Sequence, residues 1–204
     1  MNKPSLREVK KEATAHALAI AAFQLTLEKG LDGFVVDDIV KRAGYSRRTF
    51  ANHFSRKEEA VVMAALPFER MEEAMTIHAD IPKDATPLDV LYQWMKMQFT
   101  ADLLRQLREL DLLSKRHPTL EPYILSMYRR LLAAAHETLH ELFQDRYTIG
   151  YSHQLIGAVY GMILPIVDGS LPVLFPGDPP DDASDALTFE QYLDTTFGYL
   201  RYGF

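Results

Sequence analysis

An all-α fold of about nine helices is predicted by three features of the sequence. Apolar residues recur at the spacing of a helix face along most of the chain, as Leu18, Ala21, Ala22 and Leu25 illustrate. Residues that cap helices, followed at helix length by glycine or proline, divide the chain into segments. No stretch of useful length alternates apolar and polar residues as a half-buried strand does. Helices packed on helices are therefore the expected architecture.

The composition is that of an ordinary globular protein. The chain has 204 residues, of which 48% are hydrophobic and 25% charged, enough for one or two domains. No apolar run approaches the ~18 residues of a membrane span, and the N-terminal MNKPSLREVKKEAT lacks the apolar stretch of a signal peptide. The absence of cysteine excludes disulfides and Cys-ligated metal sites. We expect a cytoplasmic protein with no cofactor and no membrane partner.

The charge is divided unevenly along the chain. Residues 1–60 hold eleven Lys/Arg against eight Asp/Glu, a net charge of +3. Residues 61–204 hold eleven against twenty, a net charge of −9. Binding to DNA requires a local basic surface rather than a basic protein, so the overall charge of −6 does not exclude it. The asymmetry indicates two different tasks in one chain.

Capping signals predict where the first helices begin and end. Ser5 with Glu8 forms a capping-box pattern that opens the first helix, and a glycine follows at residue 30 to end it. Ser55 with Glu58 repeats the pattern at the start of a fourth helix, which is expected to extend to about Ala79.

Proline and glycine divide the second half of the chain. Thr86-Pro87 predicts the start of helix five, and His117-Pro118 predicts a break before helix seven at about 119–145. Helix eight, in the run YSHQLIGAVYGMILPIVDG, is apolar nearly all round and is therefore predicted to be buried. The segment 170–187 is rich in proline and aspartate and is predicted to be a long loop.

The segment from Asp37 to Lys57, DDIVKRAGYSRRTFANHFSRK, has the pattern of a helix-turn-helix. Gly44 suits the left-handed position that ends a helix, and the Ser46 hydroxyl suits the N-cap of the next helix. Two helices joined by about three residues place the second helix in the DNA major groove. That helix carries arginine, threonine and asparagine, whose side chains read base edges or hold phosphates.

The run VDDIVKRAGYSRRTFANHFSRKEEAV resembles the N-terminal domain of the TetR family of bacterial transcriptional regulators, over roughly residues 13–66. The resemblance implies a helix-turn-helix domain at 1–56 and an effector-binding and dimerisation domain at 57–204. Ala51 and Val35 depart from the family pattern, where an aromatic residue and a capping threonine are common. Val35 has no acceptor, so helix two is expected to depend on the aspartates of its first turn.

The resemblance also assigns roles to polar side chains around the second helix. Three of them would be exposed towards base edges: Arg47, Arg48 and Asn52. Four others would hold phosphates and supply salt-dependent affinity: Tyr45, Thr49, His53 and Lys57. Phe50 and Phe54 are expected to pack in the small core of the domain.

A rival signal is the pentapeptide His136-Glu137-Thr138-Leu139-His140, which matches HExxH. Histidines at i and i+4 share a helix face and bind zinc in metalloproteases, with the glutamate as general base. Catalytic zinc also requires a third protein ligand, and no downstream residue stands out as one. The alternative of a zinc enzyme is therefore kept but not favoured, and neither catalytic nor metal-binding residues are predicted.

Aromatic and methionine side chains form a stripe through helices five to eight. This stripe is either solid core or the lining of an apolar cavity for a small molecule, where the resemblance implies effector binding. The candidate ligand-binding residues are Trp94, Phe99, Tyr128, His136 and Tyr160.

The end of the chain suits a homodimer interface. Gly157 and Gly161 form a GxxxG pattern in helix eight, and aromatic residues such as Tyr199 and Tyr202 crowd the last helix. The resemblance implies a dimer formed through the last two helices. The resulting hypothesis is a repressor that leaves a palindromic operator when a small apolar or aromatic effector moves helix four. A helical interaction protein without DNA remains the third alternative.

Overall fold

The computed structural model describes residues 5–66, 82, 84–179 and 186–203, and confirms the all-α fold. Two short strands, Val173–Leu174 and Leu187–Thr188, pair in parallel and join the two ends of the proline-rich segment. The α-helices and strands are α1 Leu6–Lys29, α2 Val36–Ala43, α3 Arg47–Ala51, α4 Lys57–Met63, α5 Pro87–Gln98, α6 Ala101–Arg116, α7 Glu121–Phe143, α8 Ile149–Gly161, α9 Leu164–Val167, β1 Val173–Leu174, β2 Leu187–Thr188 and α10 Phe189–Tyr202.

The chain divides into two compact units. The first contains α1 to α4 and the segment 113–127, and the second contains 84–112 together with the chain from residue 128 onward. The sequence places the domain boundary between residues 56 and 57, ahead of α4, and that boundary stays a prediction. The predicted extension of helix four to Ala79 lies outside the described residues, as does part of the predicted loop at 170–187.

The first unit is built on α1, against which α2 and α4 pack. Ser5 and Glu8 form the predicted capping box, in which the Ser5 N–H donates to the Glu8 carboxylate at 2.7 Å. Gly30 ends the helix with φ +74°. The apolar faces of these helices form one core, with fully buried side chains at Leu18, Leu25, Ile39, Phe50, Phe54 and Val61. Removing these side chains from water is the main force that holds three short helices against α1.

The start of α4 differs from the prediction. Arg56, not Ser55, is the N-cap, so the third helical residue is Glu59 rather than Glu58. The Glu59 carboxylate accepts the Ser55 N–H at 2.8 Å and the Ser55 hydroxyl at 2.7 Å. The predicted Ser55–Glu58 capping box is therefore wrong by one residue. The acidic side chains still lie in the first turn, where negative charge favours the helix dipole.

The second unit contains α5, α8, α9 and α10, together with most of α6 and α7. Thr86 caps α5 through its hydroxyl and Pro87 occupies the first helical position, as predicted. The prediction that helix eight is buried on all sides is wrong for the single chain, because only Ile156 and Val159 of α8 are buried. In the described part of the chain, nothing lies within 4 Å of where a Cβ would stand at Gly157 or Gly161. Among the described residues, no helix is long and apolar enough to span a membrane.

Candidate nucleic-acid interface

The turn between α2 and α3 has the geometry that its residues predict. Gly44 ends α2 in the left-handed conformation, with φ +75° and ψ +28°. Ser46 then caps α3, and its hydroxyl oxygen accepts the Thr49 N–H at 3.0 Å. Val35, the N-cap of α2, has no side-chain acceptor, and the Asp38 carboxylate accepts its N–H at 2.9 Å. The expected dependence of α2 on an aspartate is confirmed, and the two helices are joined by a short, defined turn.

One face of α3 packs inward and the other faces solvent. Phe50 is buried, and its ring lies 5.6 Å from that of Phe54, which is also buried. Arg48 and Asn52 are exposed on the opposite side of the helix and its C-cap. The aromatic pair therefore fixes the helix to the core while the polar side chains remain available to a ligand.

Arg47 is exposed but makes an ion pair. Its Nε lies 2.9 Å from Oδ1 of Asp37, at the start of α2. Both side chains are more than half exposed, so the pair is screened by solvent and contributes little to stability. Arg47 must exchange this carboxylate for a phosphate or base edge in order to contact DNA.

The side chains predicted to hold phosphates surround α3. Tyr45 is 38% exposed, and the Thr49 hydroxyl lies 2.8 Å from that of Ser46. His53 is half-buried; burial lowers the pKa of its imidazole, and the charge of Lys11 lowers it further. His53 is therefore mainly neutral at pH 7 and offers a neutral hydrogen bond rather than a charge.

Lys11 is a basic residue of this surface that the sequence analysis did not single out. It belongs to the N-terminal half of α1, yet its charge acts on His53 at the end of α3. The signal in the sequence was the Lys10-Lys11 pair, which places basic side chains on the first turns of α1. Because DNA carries a closely spaced row of phosphates, a lysine at this position adds to the positive field of the recognition helix.

Lys57 has a structural role that the sequence did not reveal. Its half-buried ammonium donates hydrogen bonds to the carbonyl oxygens of Leu31 at 2.7 Å and Phe34 at 2.9 Å. It also lies over the Phe34 ring, 4.9 Å from the centroid. These contacts tie the start of α4 to the turn between α1 and α2. An ammonium has three N–H donors, so the phosphate contact of Lys57 stays a prediction.

Replacing Lys57 with methionine should lower the free energy of unfolding by about 1–2 kcal/mol, because two partly buried carbonyls lose a charged donor. Urea denaturation followed by circular dichroism measures this change. Arg56→Met is the matched control, since it removes a neighbouring exposed charge and should change stability by less than about 0.5 kcal/mol. Equal stabilities of the two variants would show that the hydrogen bonds from Lys57 to the Leu31 and Phe34 carbonyls do not stabilise the fold.

The comparisons with known proteins agree with this geometry. A family model described as bacterial regulatory proteins of the TetR family matches residues 20–61, from within α1 to within α4. The chain carries a TetR-family DNA-binding domain. The match covers the capped turn and the whole of α3, so the protein is a DNA-binding transcriptional regulator.

Thirteen solved chains match the protein. One of them, described as "Clostridium perfringens putative fatty acid metabolism regulator", is 16% identical, with a TM-score of 0.44 over 92% of this chain and 98% of that one. No curated protein matches at a significant level.

The residues predicted to bind an effector lie in the second unit but do not share one cavity. Phe99 lines a cavity of about 350 Å³ together with Phe189 from α10, whereas His136 lines a separate groove of about 720 Å³. Trp94 is only 5% exposed, and its indole N–H has no hydrogen-bond partner among the residues that the structure describes. Burial raises the pKa of Tyr160 to about 12, so its phenol is neutral. These ligand assignments stay predictions.

The HExxH motif lies in the part of α7 that belongs to the second unit. His140 is exposed, whereas the His136 ring contacts His153 of α8 with 3.6 Å between ring centroids. Burial lowers the pKa of His136, as does His153. No group of three or more His, Asp or Glu in the described part of the chain could hold a metal ion. The metalloprotease alternative therefore gains no support from these helices.

Proposed function

We propose that this TetR-family protein is a homodimeric repressor that binds a palindromic operator through α3 and is released by a small apolar or aromatic effector. The observation that carries the proposal is a short capped helix that buries Phe50 and exposes Arg48 and Asn52. Arginine pairs with guanine and asparagine with adenine through two hydrogen bonds each. Because it acts on chromosomal DNA, we infer that the protein works in the cytoplasm.

The dimer surface is inferred from the exposed apolar faces of α8 and α10. Leu164, Tyr199 and Tyr202 are exposed large side chains beside or within these helices. Gly157 and Gly161 have open space where a Cβ would stand, so a second helix could approach their backbone closely. A two-fold dimer presents two copies of α3 to half-sites about one turn of DNA apart, which is why a palindrome is expected.

Gly157→Arg should convert the dimer into a monomer without unfolding the chain. Among the described residues nothing lies within 4 Å of a Cβ at position 157, and arginine favours a helix more than glycine does, so the substitution is expected to disturb a partner rather than the fold. Sedimentation velocity at several protein concentrations measures the change. Leu125→Arg, at an exposed apolar position of α7, is the control and should leave the dimer intact. A dimer that persists in Gly157→Arg refutes this interface.

The effector is proposed to occupy apolar space in the second unit, near the aromatic side chains described above. The buried indole N–H of Trp94 favours a ligand that adds a hydrogen-bond acceptor to an apolar body, since an unpaired buried donor is costly. Release from DNA requires that the effector bind the DNA-incompetent conformation more tightly than the competent one.

The proposed function is tested by selecting bound duplexes from a random DNA pool with the purified protein. Enrichment of an inverted repeat, and its loss when a hydrophobic compound is added, is the expected result. An electrophoretic mobility-shift assay at several salt concentrations then measures affinity for the selected site and for random DNA. Failure to enrich any sequence, together with binding that does not depend on salt, would refute the proposal.

A further inference from the structure

His136 and His153 come together from different helices. His136 lies in the second half of α7 and His153 in the first half of α8. Their ring centroids are 3.6 Å apart, closer than the 4.5–7 Å usual for packed aromatic rings, and the rings are tilted by 47°. The sequence motif pairs His136 with His140, whereas the fold brings it to His153. His153 lies one turn before Gly157 on α8, so the pair adjoins the face of α8 that is proposed for the dimer.

The pair borders an open groove whose lining combines apolar side chains with a few polar ones. A groove of about 720 Å³ borders both rings. It is also lined by Glu137, Thr148 and Ser152, and by apolar residues such as Leu139 and Phe143. Such a groove has room for several water molecules, and the carboxylate contributes negative charge beside the imidazoles.

We propose that His136 and His153 bind a divalent transition-metal ion, such as Zn²⁺ or Ni²⁺, through one imidazole nitrogen each. Imidazole is the common ligand of these metals, and each nitrogen would lie about 2.0–2.1 Å from zinc once the two contacting rings turn apart to face a shared ion. Water in the groove would fill the remaining positions. Because the described residues provide no third protein ligand, the site is an open metal-binding site with two protein ligands and not a catalytic centre.

The proposed metal would join α7 to α8. The two helices are connected by only the short segment 144–148, so the two ligands are already held near each other and little chain entropy is lost on binding. A metal bound to the folded state and not to the unfolded chain raises thermal stability. Zinc is therefore expected to raise the melting temperature of the wild-type protein.

Isothermal titration of untagged, chelator-treated full-length protein with Zn²⁺ and with Ni²⁺ tests the proposal. One equivalent per chain should bind, and His153→Gln and His136→Gln should each weaken binding roughly tenfold or more, since even outer-shell partners of a metal cost that much. His140→Gln is the matched control from the same groove and should change the affinity by less than about twofold.

A second measurement does not depend on the variants folding. On addition of Zn²⁺ to the wild-type protein, the imidazole NMR signals of His136 and His153 should shift and those of His140 should not. The proposal is overturned if neither metal binds saturably, if His153→Gln binds as the wild type does, or if His140→Gln loses as much affinity as His136→Gln. The last result would assign the metal to the HExxH pair instead.

Discussion

Arg48→Ala is expected to weaken binding to the selected operator by about 1–3 kcal/mol, roughly fivefold to 150-fold, and to weaken binding to random DNA far less. Arg48 is exposed on α3, the helix proposed to enter the major groove, and no ion pair in the described structure occupies it. Its loss removes a bidentate contact to a base, which random sequences offer only by chance. Fluorescence anisotropy with both duplexes at one salt concentration measures the ratio.

Lys41→Ala is the control for Arg48→Ala. Lys41 is an exposed residue of α2, so its replacement removes one positive charge from the same domain without touching α3. It should reduce affinity for both duplexes by the same small factor. Equal losses on operator and random DNA for Arg48→Ala would show that Arg48 holds a phosphate and does not read a base.

Phe54→Ala is expected to cost about 3–5 kcal/mol of stability and to abolish DNA binding at moderate temperature. Phe54 is only 5% exposed and packs against Phe50, the residue that fixes α3 to the core. Truncation leaves a cavity beneath a helix too short to be stable alone. Urea denaturation followed by circular dichroism measures the loss.

Two variants bracket the effect of Phe54→Ala. Phe54→Leu keeps most of the volume and should cost less than about 1.5 kcal/mol. Tyr45→Ala truncates a partly exposed aromatic residue of the same domain and should cost less than Phe54→Ala. If Phe54→Ala were as stable as Tyr45→Ala, the aromatic pair would not be what anchors α3.

Local signals predicted the helix-turn-helix well because each of its features depends on a few neighbouring residues. Gly44 takes the left-handed conformation that only glycine adopts without strain, and Ser46 caps the helix three residues ahead of its partner N–H. Thr86-Pro87 marks the start of α5 for the same reason. Burial of Phe50 and Phe54 also follows from the short helical period of this segment.

Features that depend on distant residues could not be read from the sequence. The Lys57 ammonium binds carbonyls of residues more than twenty positions earlier, and no local pattern marks a lysine for that role. His136 matched a local motif with His140, but its ring contact comes from the next helix. The one-residue error at Ser55 arose because Glu58 has the capping-box spacing from Ser55, whereas the helix starts one residue later and Glu59 is the acceptor.

The length of α3 limits how much information one subunit can take from a genome. Five helical residues extend about 7.5 Å, which is little more than two base-pair steps. So short a base sequence recurs by chance throughout a chromosome, where roughly 10⁶–10⁹ competing sites are available. A unique operator therefore requires two half-site sequences at a fixed distance. The spacing of the half-sites contributes to specificity together with the bases themselves.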